Sequence, residues 1–169
     1  MNIIAQGLGV VGLICAVISF QQRSHRSIVL LQIMSCGAFC AHFAMLGAYT
    51  GAALNLIGVV RAVVFVNKGK KWADSRAWLF LFCGMSVAVG TFSWNGFISI
   101  LPILGMICTT VAFWVKTPKY VRLIALPSSP LWLVYNLVNK SYAGVVTETI
   151  NMASIIIAMI RLDYKKNDN

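Results

Sequence analysis

Seven stretches of this chain are each apolar for about the length that crosses a lipid bilayer. They fall at about 3–20, 27–47, 50–66, 77–93, 96–115, 120–138 and 142–161. A helix needs about 20 residues, in a range of roughly 17 to 25, to traverse the hydrocarbon. The stretches do not alternate between apolar and polar residues, as the ten-residue strands of a membrane barrel would. Lipid offers backbone groups no hydrogen-bond partners, so such stretches must be helical. Composition agrees. Hydrophobic residues make up 59% of the 169 and charged residues only 11%, with a mean hydropathy of +0.81. Typical soluble domains carry about 25% charged residues, and water would meet far too much apolar surface here. The connections are short, so consecutive helices run antiparallel.

The net charge of +10 is set by where the cations stand. Arg23 and Arg26 follow the first span, and Lys68, Lys70, Lys71 and Arg76 separate the third from the fourth. Lys116, Lys119 and Arg122 follow the fifth, and Arg161, Lys165 and Lys166 close the chain. Only Lys140 falls on the opposite side, twelve against one. By the positive-inside rule the N-terminus is outside and the C-terminus cytoplasmic. The same surplus favours anionic lipid headgroups and is read as membrane charge, not nucleic-acid binding. The opening segment lacks a basic n-region and reads as a span, not a signal peptide. The five cysteines all sit in apolar segments and read as packing residues, with no metal site expected.

The odd number of spans has an explanation. "GLICAVISFQQRSHR" (12–26) matches "GMICTTVAFWVKTPK" (105–119) at a constant offset of 93, the distance from Gly12 to Gly105. Ile14 meets Ile107, Cys15 meets Cys108 and Phe20 meets Phe113, and the register continues through Leu30 with Leu123, Ser35 with Ser128 and Gly51 with Gly144. The expected architecture is an all-α membrane protein of seven transmembrane helices. Residues 1–67 form one three-helix repeat, 68–95 a basic loop and connector helix, 96–162 a second repeat and 163–169 a cytoplasmic tail. Three helices plus one connector is even, so both repeats face the same way across the membrane, a plan found among transporters.

Polar residues inside the spans are the candidate site. Glu148 lies about six residues into the last span, roughly 9 Å deep at about 1.5 Å per residue. Its repeat mate is Asn55. Arg61 lies about 9 Å deeper along the third span. An ionised side chain there costs about 2.5–3.5 kcal/mol on insertion scales, so Arg61 and Glu148 are expected to offset each other, directly or through water. Such a pair either ties two helices together or lines a wet cavity. Phe39 aligns with Trp132 and His42 with Tyr135, and Asn136 follows. Aromatic rings beside an amide or carboxylate suit a sugar or similar flat-faced polar solute, and equally suit interface anchoring. His42 is a candidate proton carrier by residue type, although a single histidine near a helix end is commonly just hydrogen-bonded. Pro127 and Pro130 should kink the sixth span and Pro102 the fifth. No catalytic constellation is present, so no enzyme activity and no cofactor are expected.

"LWLVYN" (131–136) with Glu148 sixteen residues after Trp132 resembles the "LWxxYG…N" pattern of the SWEET and SemiSWEET sugar transporters, and "SFQQRSHRS" (19–27) is similar to their PQ-loop stretch. That resemblance implies a three-one-three fold and a central pocket lined by Phe39, Asn55, Trp132 and Glu148. The chain departs from the pattern: Glu148 replaces an asparagine and Arg61 has no counterpart there. The whole chain further resembles the YgjV family of bacterial inner-membrane proteins, through "AQGLGV" (5–10), "HFAMLGAY" (42–49), Arg61 and the set Trp132, Asn136, Glu148. The expectation is a transporter of a small polar solute, sugar-like, charged or zwitterionic, in the cytoplasmic membrane, with Arg61, His42, Tyr135 and Asn136 beside the four pocket residues. The alternative is a non-transporting scaffold or receptor whose Arg61–Glu148 pair is structural. The number of copies is open, a homo-oligomer included.

Overall fold

A computed structural model describes residues 3–45, 49–92, 97–138 and 142–164, all of them helical or in short connections apart from one isolated bridge between Lys68 and Lys70. Lys140, Lys165, Lys166 and Asp168 lie outside the described residues. The helices are α1 (Ile3–Phe20), α2 (His25–Met45), α3 (Tyr49–Val66), α4 (Ala77–Phe92), α5 (Ile100–Trp114), α6 (Pro118–Ala125), α7 (Ser128–Val138) and α8 (Tyr142–Ala158). A 3-10 turn, Phe97–Ser99, leads into α5, and α8 ends in a π-helical turn, Met159–Tyr164.

Three segments are long and apolar enough to cross a membrane: His25–Met45, Pro118–Val138 and Val145–Tyr164. Four shorter apolar helices accompany them, Gly7–Phe20, Ala52–Val66, Ala77–Phe92 and Ile100–Trp114. Their outward faces are greasy. Ile4, Met34, Leu56, Phe80 and Ile157 are all exposed, which lipid tolerates and water would not.

The sixth span is one rod in two pieces, which makes seven helical rods among the described residues. Thr117 is extended (φ −88°, ψ 116°), as a residue before proline tends to be, and Pro118 opens α6 where its missing N–H costs nothing. Pro127 and Pro130 then deprive the Leu123 and Leu126 carbonyls of their helical donors. Leu126 keeps a helical conformation and its N–H still reaches the Arg122 carbonyl, and after a turn at residues 126–127 the helix resumes at Ser128. Pro102 behaves differently from expectation. It falls in the first turn of α5, where proline is tolerated.

In the first half of the chain α2 packs between α1 and α3, and in the second half α7 packs between α5 and α8. The halves meet where α1 lies on α8 and α3 lies on α5. The α4 helix rests on α3 and α5. It is held there by Phe82, buried between Phe65 (centroids 5.6 Å apart, edge to face) and Trp78 (5.8 Å, stacked). Small residues allow close approach: a methyl group built on Gly58 would meet the Cys36 sulfur at 2.9 Å. All five cysteines are free thiols, buried or half-buried, in keeping with a packing role.

Candidate functional site

The residues that align at the 93-residue offset also make matching contacts. In the first half, Gly12 of α1 lies beneath the Phe39 ring of α2, so close that an added methyl carbon would stand 2.9 Å from it. In the second half, Gly105 of α5 lies beneath Trp132 of α7, with the indole nitrogen 2.7 Å from the equivalent point. Ser35 donates to the Gly12 carbonyl (2.8 Å), and its mate Ser128 has its hydroxyl 3.3 Å from the point where a Gly105 methyl would be. Phe39 and His42 meet edge to face (6.4 Å), as do Trp132 and Tyr135 (5.8 Å).

Contacts between the halves follow the same register. Phe20 and Phe113, themselves repeat mates, are both buried and stack on each other. Across the α3–α5 seam, Arg61 donates to Thr110 (2.7 Å). Across the α1–α8 seam, its mate Ser154 donates to the carbonyl of Val17 (2.8 Å), the mate of Thr110. Lys68 donates to the carbonyl of Trp114 (2.5 Å), and its mate Arg161 donates to the side chain of Gln21 (2.9 Å), the mate of Trp114.

Arg61 is 4% exposed. Besides Thr110 it reaches Thr109 (3.2 Å), and its guanidinium carbon lies 5.3 Å from the centre of the Phe113 ring. Both threonine hydroxyls donate to the Met106 carbonyl, which leaves their oxygens free to accept from the arginine. The Nε–H is buried without a partner among the described residues. Of the expected offset between Arg61 and Glu148, directly or through water, the direct ion pair is absent among the described residues. Threonine dipoles and an aromatic face take the place of a counter-charge. Glu148 is half-buried on α8 and shares a hydrogen bond with Ser129 of α7. Asn55 is half-buried on α3 and has a partner of its own. His42 Nδ1 lies 2.6 Å from the Ala5 carbonyl, and since a carbonyl only accepts, that nitrogen carries a proton. Tyr135 and Asn136 are half-buried on α7.

One ion pair was not foreseen from the sequence, where Asp163 looks like a residue of a polar stretch and Arg122 like one more cation after a span. Arg122 of α6 and Asp163 of the π-helical turn bond through two parallel contacts (2.8 and 2.5 Å), with side chains only 2% and 5% exposed. Arg122 also donates to the carbonyls of Phe20 (3.2 Å) and Gln22 (2.9 Å). It thereby ties α6 and the end of α8 to the end of α1. A signal was there: Arg122 sits between Val121 and Leu123, and Asp163 between Leu162 and Tyr164.

Two of the clefts on the described surface lie outside the expected pocket set. One, of about 570 Å³, is lined by basic groups including His25, Arg26, Lys68, Lys70 and Lys116. The other, of about 340 Å³, follows the α1–α8 seam past Val17, Gln21, Ala153 and Ser154. Neither is lined by Asn55, Glu148, Phe39 or Trp132.

An all-helical chain with apolar outer faces, membrane-length segments and polar groups sealed between its helices is a multi-pass membrane protein. The model of one family, described as a bacterial inner membrane protein family, Imp-YgjV, matches residues 3–166, and the chain belongs to that family. It is 21% identical over 145 residues to the inner membrane protein YgjV of Escherichia coli strain K12, covering 86% of this chain and 76% of that protein. No solved structure matches.

Proposed function

We propose that this protein is a transporter of a small polar solute across the cytoplasmic membrane, built as two parallel three-helix repeats joined by α4 and working by alternating access. The observation that carries the reading is the agreement between repeat register and contacts, above all Phe20 stacking on Phe113 while Arg61–Thr110 and Ser154–Val17 recur on the two seams. Matching halves meeting through matching surfaces can rock between two equivalent arrangements, which is how repeat-built transporters expose a site to either side. The boundaries 1–67, 68–95, 96–162 and 163–169 follow from this reading, with the N-terminus outside and the C-terminus in the cytoplasm, as the cation distribution supports. Asn55 and Glu148 would contact the solute, Phe39 and Trp132 would wall the pocket, and His42, Tyr135 and Asn136 would border it. Arg61 would act from the α3–α5 seam.

A second reading has its own support. Arg61 is tied to α5 through Thr109 and Thr110. A scaffold that moves nothing would look like this. Its structural tie is then the arginine–threonine contact, in place of the Arg61–Glu148 pair. Solute uptake into liposomes decides between the two. If wild type takes up a member of a broad polar panel and Glu148→Gln abolishes uptake at unchanged thermal stability, the transporter stands. If nothing in the panel moves, and Glu148→Gln lowers stability alone, the scaffold stands.

A further inference from the structure

The 570 Å³ cleft lies where the end of α3, the start of α2 and the end of α5 converge, and basic side chains dominate it. His25 and Arg26 come from α2, Lys68 and Lys70 from the loop after α3, and Lys116 from the loop after α5. No carboxylate lines it, although Asp74 approaches Lys116 from the side at 3.7 Å, both side chains being about half exposed.

Several of these groups are held in place. His25 Nε2 donates to the Phe113 carbonyl (3.0 Å), so that ring is fixed. The Lys68 ammonium donates to the Trp114 carbonyl and lies over the Trp114 ring. Gly69 between the two lysines has φ +113°, a conformation side chains resist, and this turn lets Lys68 and Lys70 line the same cleft. Holding like charges around one space is unfavourable until an anion enters it. Partial burial pushes the Lys68 amine down to about 8, with Asp74 pulling it back up and Lys116 adding a smaller push down. On the membrane side the wall is Leu30, itself half exposed to lipid.

We propose that this cleft is a phosphate-binding site, taking the phosphate of an anionic phospholipid headgroup or of a soluble phosphorylated solute. A carboxylate offers two acceptor oxygens and one charge. Phosphate offers more of both, which suits donors converging from three chain segments. The site is separate from the proposed solute pocket and does not depend on it.

The test uses the whole protein in phosphatidylcholine nanodiscs. One arm adds phosphatidylglycerol and reads retained lipid by native mass spectrometry. The other adds inorganic phosphate and reads binding by phosphorus-31 NMR line broadening. At least one ligand should bind, and Arg26→Gln/Lys70→Gln should weaken it about tenfold or more through loss of two charge-assisted contacts. The charge-matched Lys71→Gln/Arg76→Gln, outside the cleft, should bind as wild type does. Lipid binding alone assigns the headgroup, and phosphate binding in plain phosphatidylcholine assigns the soluble source. Equal loss in both double variants means a diffuse basic surface and overturns the site, as does no binding in either arm. Should the cleft variant misfold, wild type decides: bound ligand must slow acylation of Lys68, Lys70 and Lys116 while Lys71 labels freely, and uniform labelling overturns the proposal.

Discussion

Phe20 and Phe113 stack with ring centroids 6.4 Å apart and planes 26° from parallel, and each is the other's repeat mate. Both rings are buried at the cation-rich end, where α1 and α5 finish.

Removing either ring should cost about 3 kcal/mol, at the lower end for a core phenylalanine. The double change Phe20→Ala/Phe113→Ala should cost less than the sum of the singles, by about 0.5–1.5 kcal/mol, the coupling of an aromatic pair. Reversible unfolding in mixed micelles measures it, and strict additivity would show that the rings act independently.

Asp163→Asn should be among the more damaging polar substitutions, costing about 3–5 kcal/mol because it leaves Arg122 buried with its charge unmatched. Replacing both partners with apolar residues, as in Arg122→Met/Asp163→Leu, should recover much of that loss. The same unfolding assay compares the three chains.

A methyl group at Gly12 would overlap Phe39, so Gly12→Ala should destabilise by about 1–3 kcal/mol, the range for overpacking. Phe39→Leu in the same chain should restore most of it. Gly105→Ala with Trp132→Leu should repeat the pattern in the second half, since the overlap is of the same kind.

Lys68 should react with an acylating reagent with a midpoint near pH 8. Lys116→Gln should raise that midpoint by removing a like charge, and Asp74→Asn should lower it by removing an opposite one. The sign for stability follows. The folded amine, at about 8, lies below the ordinary value of 10.5, so folding disfavours the charged form. Its contribution opposes folding below about pH 8, and the opposition fades as pH rises from there to 10.5. Amine footprinting by mass spectrometry across that window checks both midpoints.

Much of the fold was legible because lipid leaves few choices. Membrane-length apolar runs must be helices, and prolines at 127 and 130 must disturb one. The Gly12–Phe39 and Gly105–Trp132 contacts were not read from the sequence, where the offset aligned glycine with glycine and ring with ring but could not say which helices touch. Charge was harder to read. Arg61 was matched to Glu148 because acids are scarce, yet neutral hydroxyls at Thr109 and Thr110 hold it. Threonine in an apolar helix carries no visible mark of being an acceptor. Asp163 lies in a tail-like sequence and gained its partner where the π-helical turn meets α6, which is a property of the folded chain.

The connector helix leaves the two flanks unequal. On one, α4 laps the α3–α5 seam with Phe82, and Arg61 fastens the helices beneath. On the other, α1 and α8 flank an open groove, joined along it by Gln21, Ser154 and Arg161 and at its end by Arg122. The molecule thus has one flank covered by a helix and one left open along its length, and a force prying its halves apart would meet the α4 cover on the first and the Arg122 clasp at the end of the second.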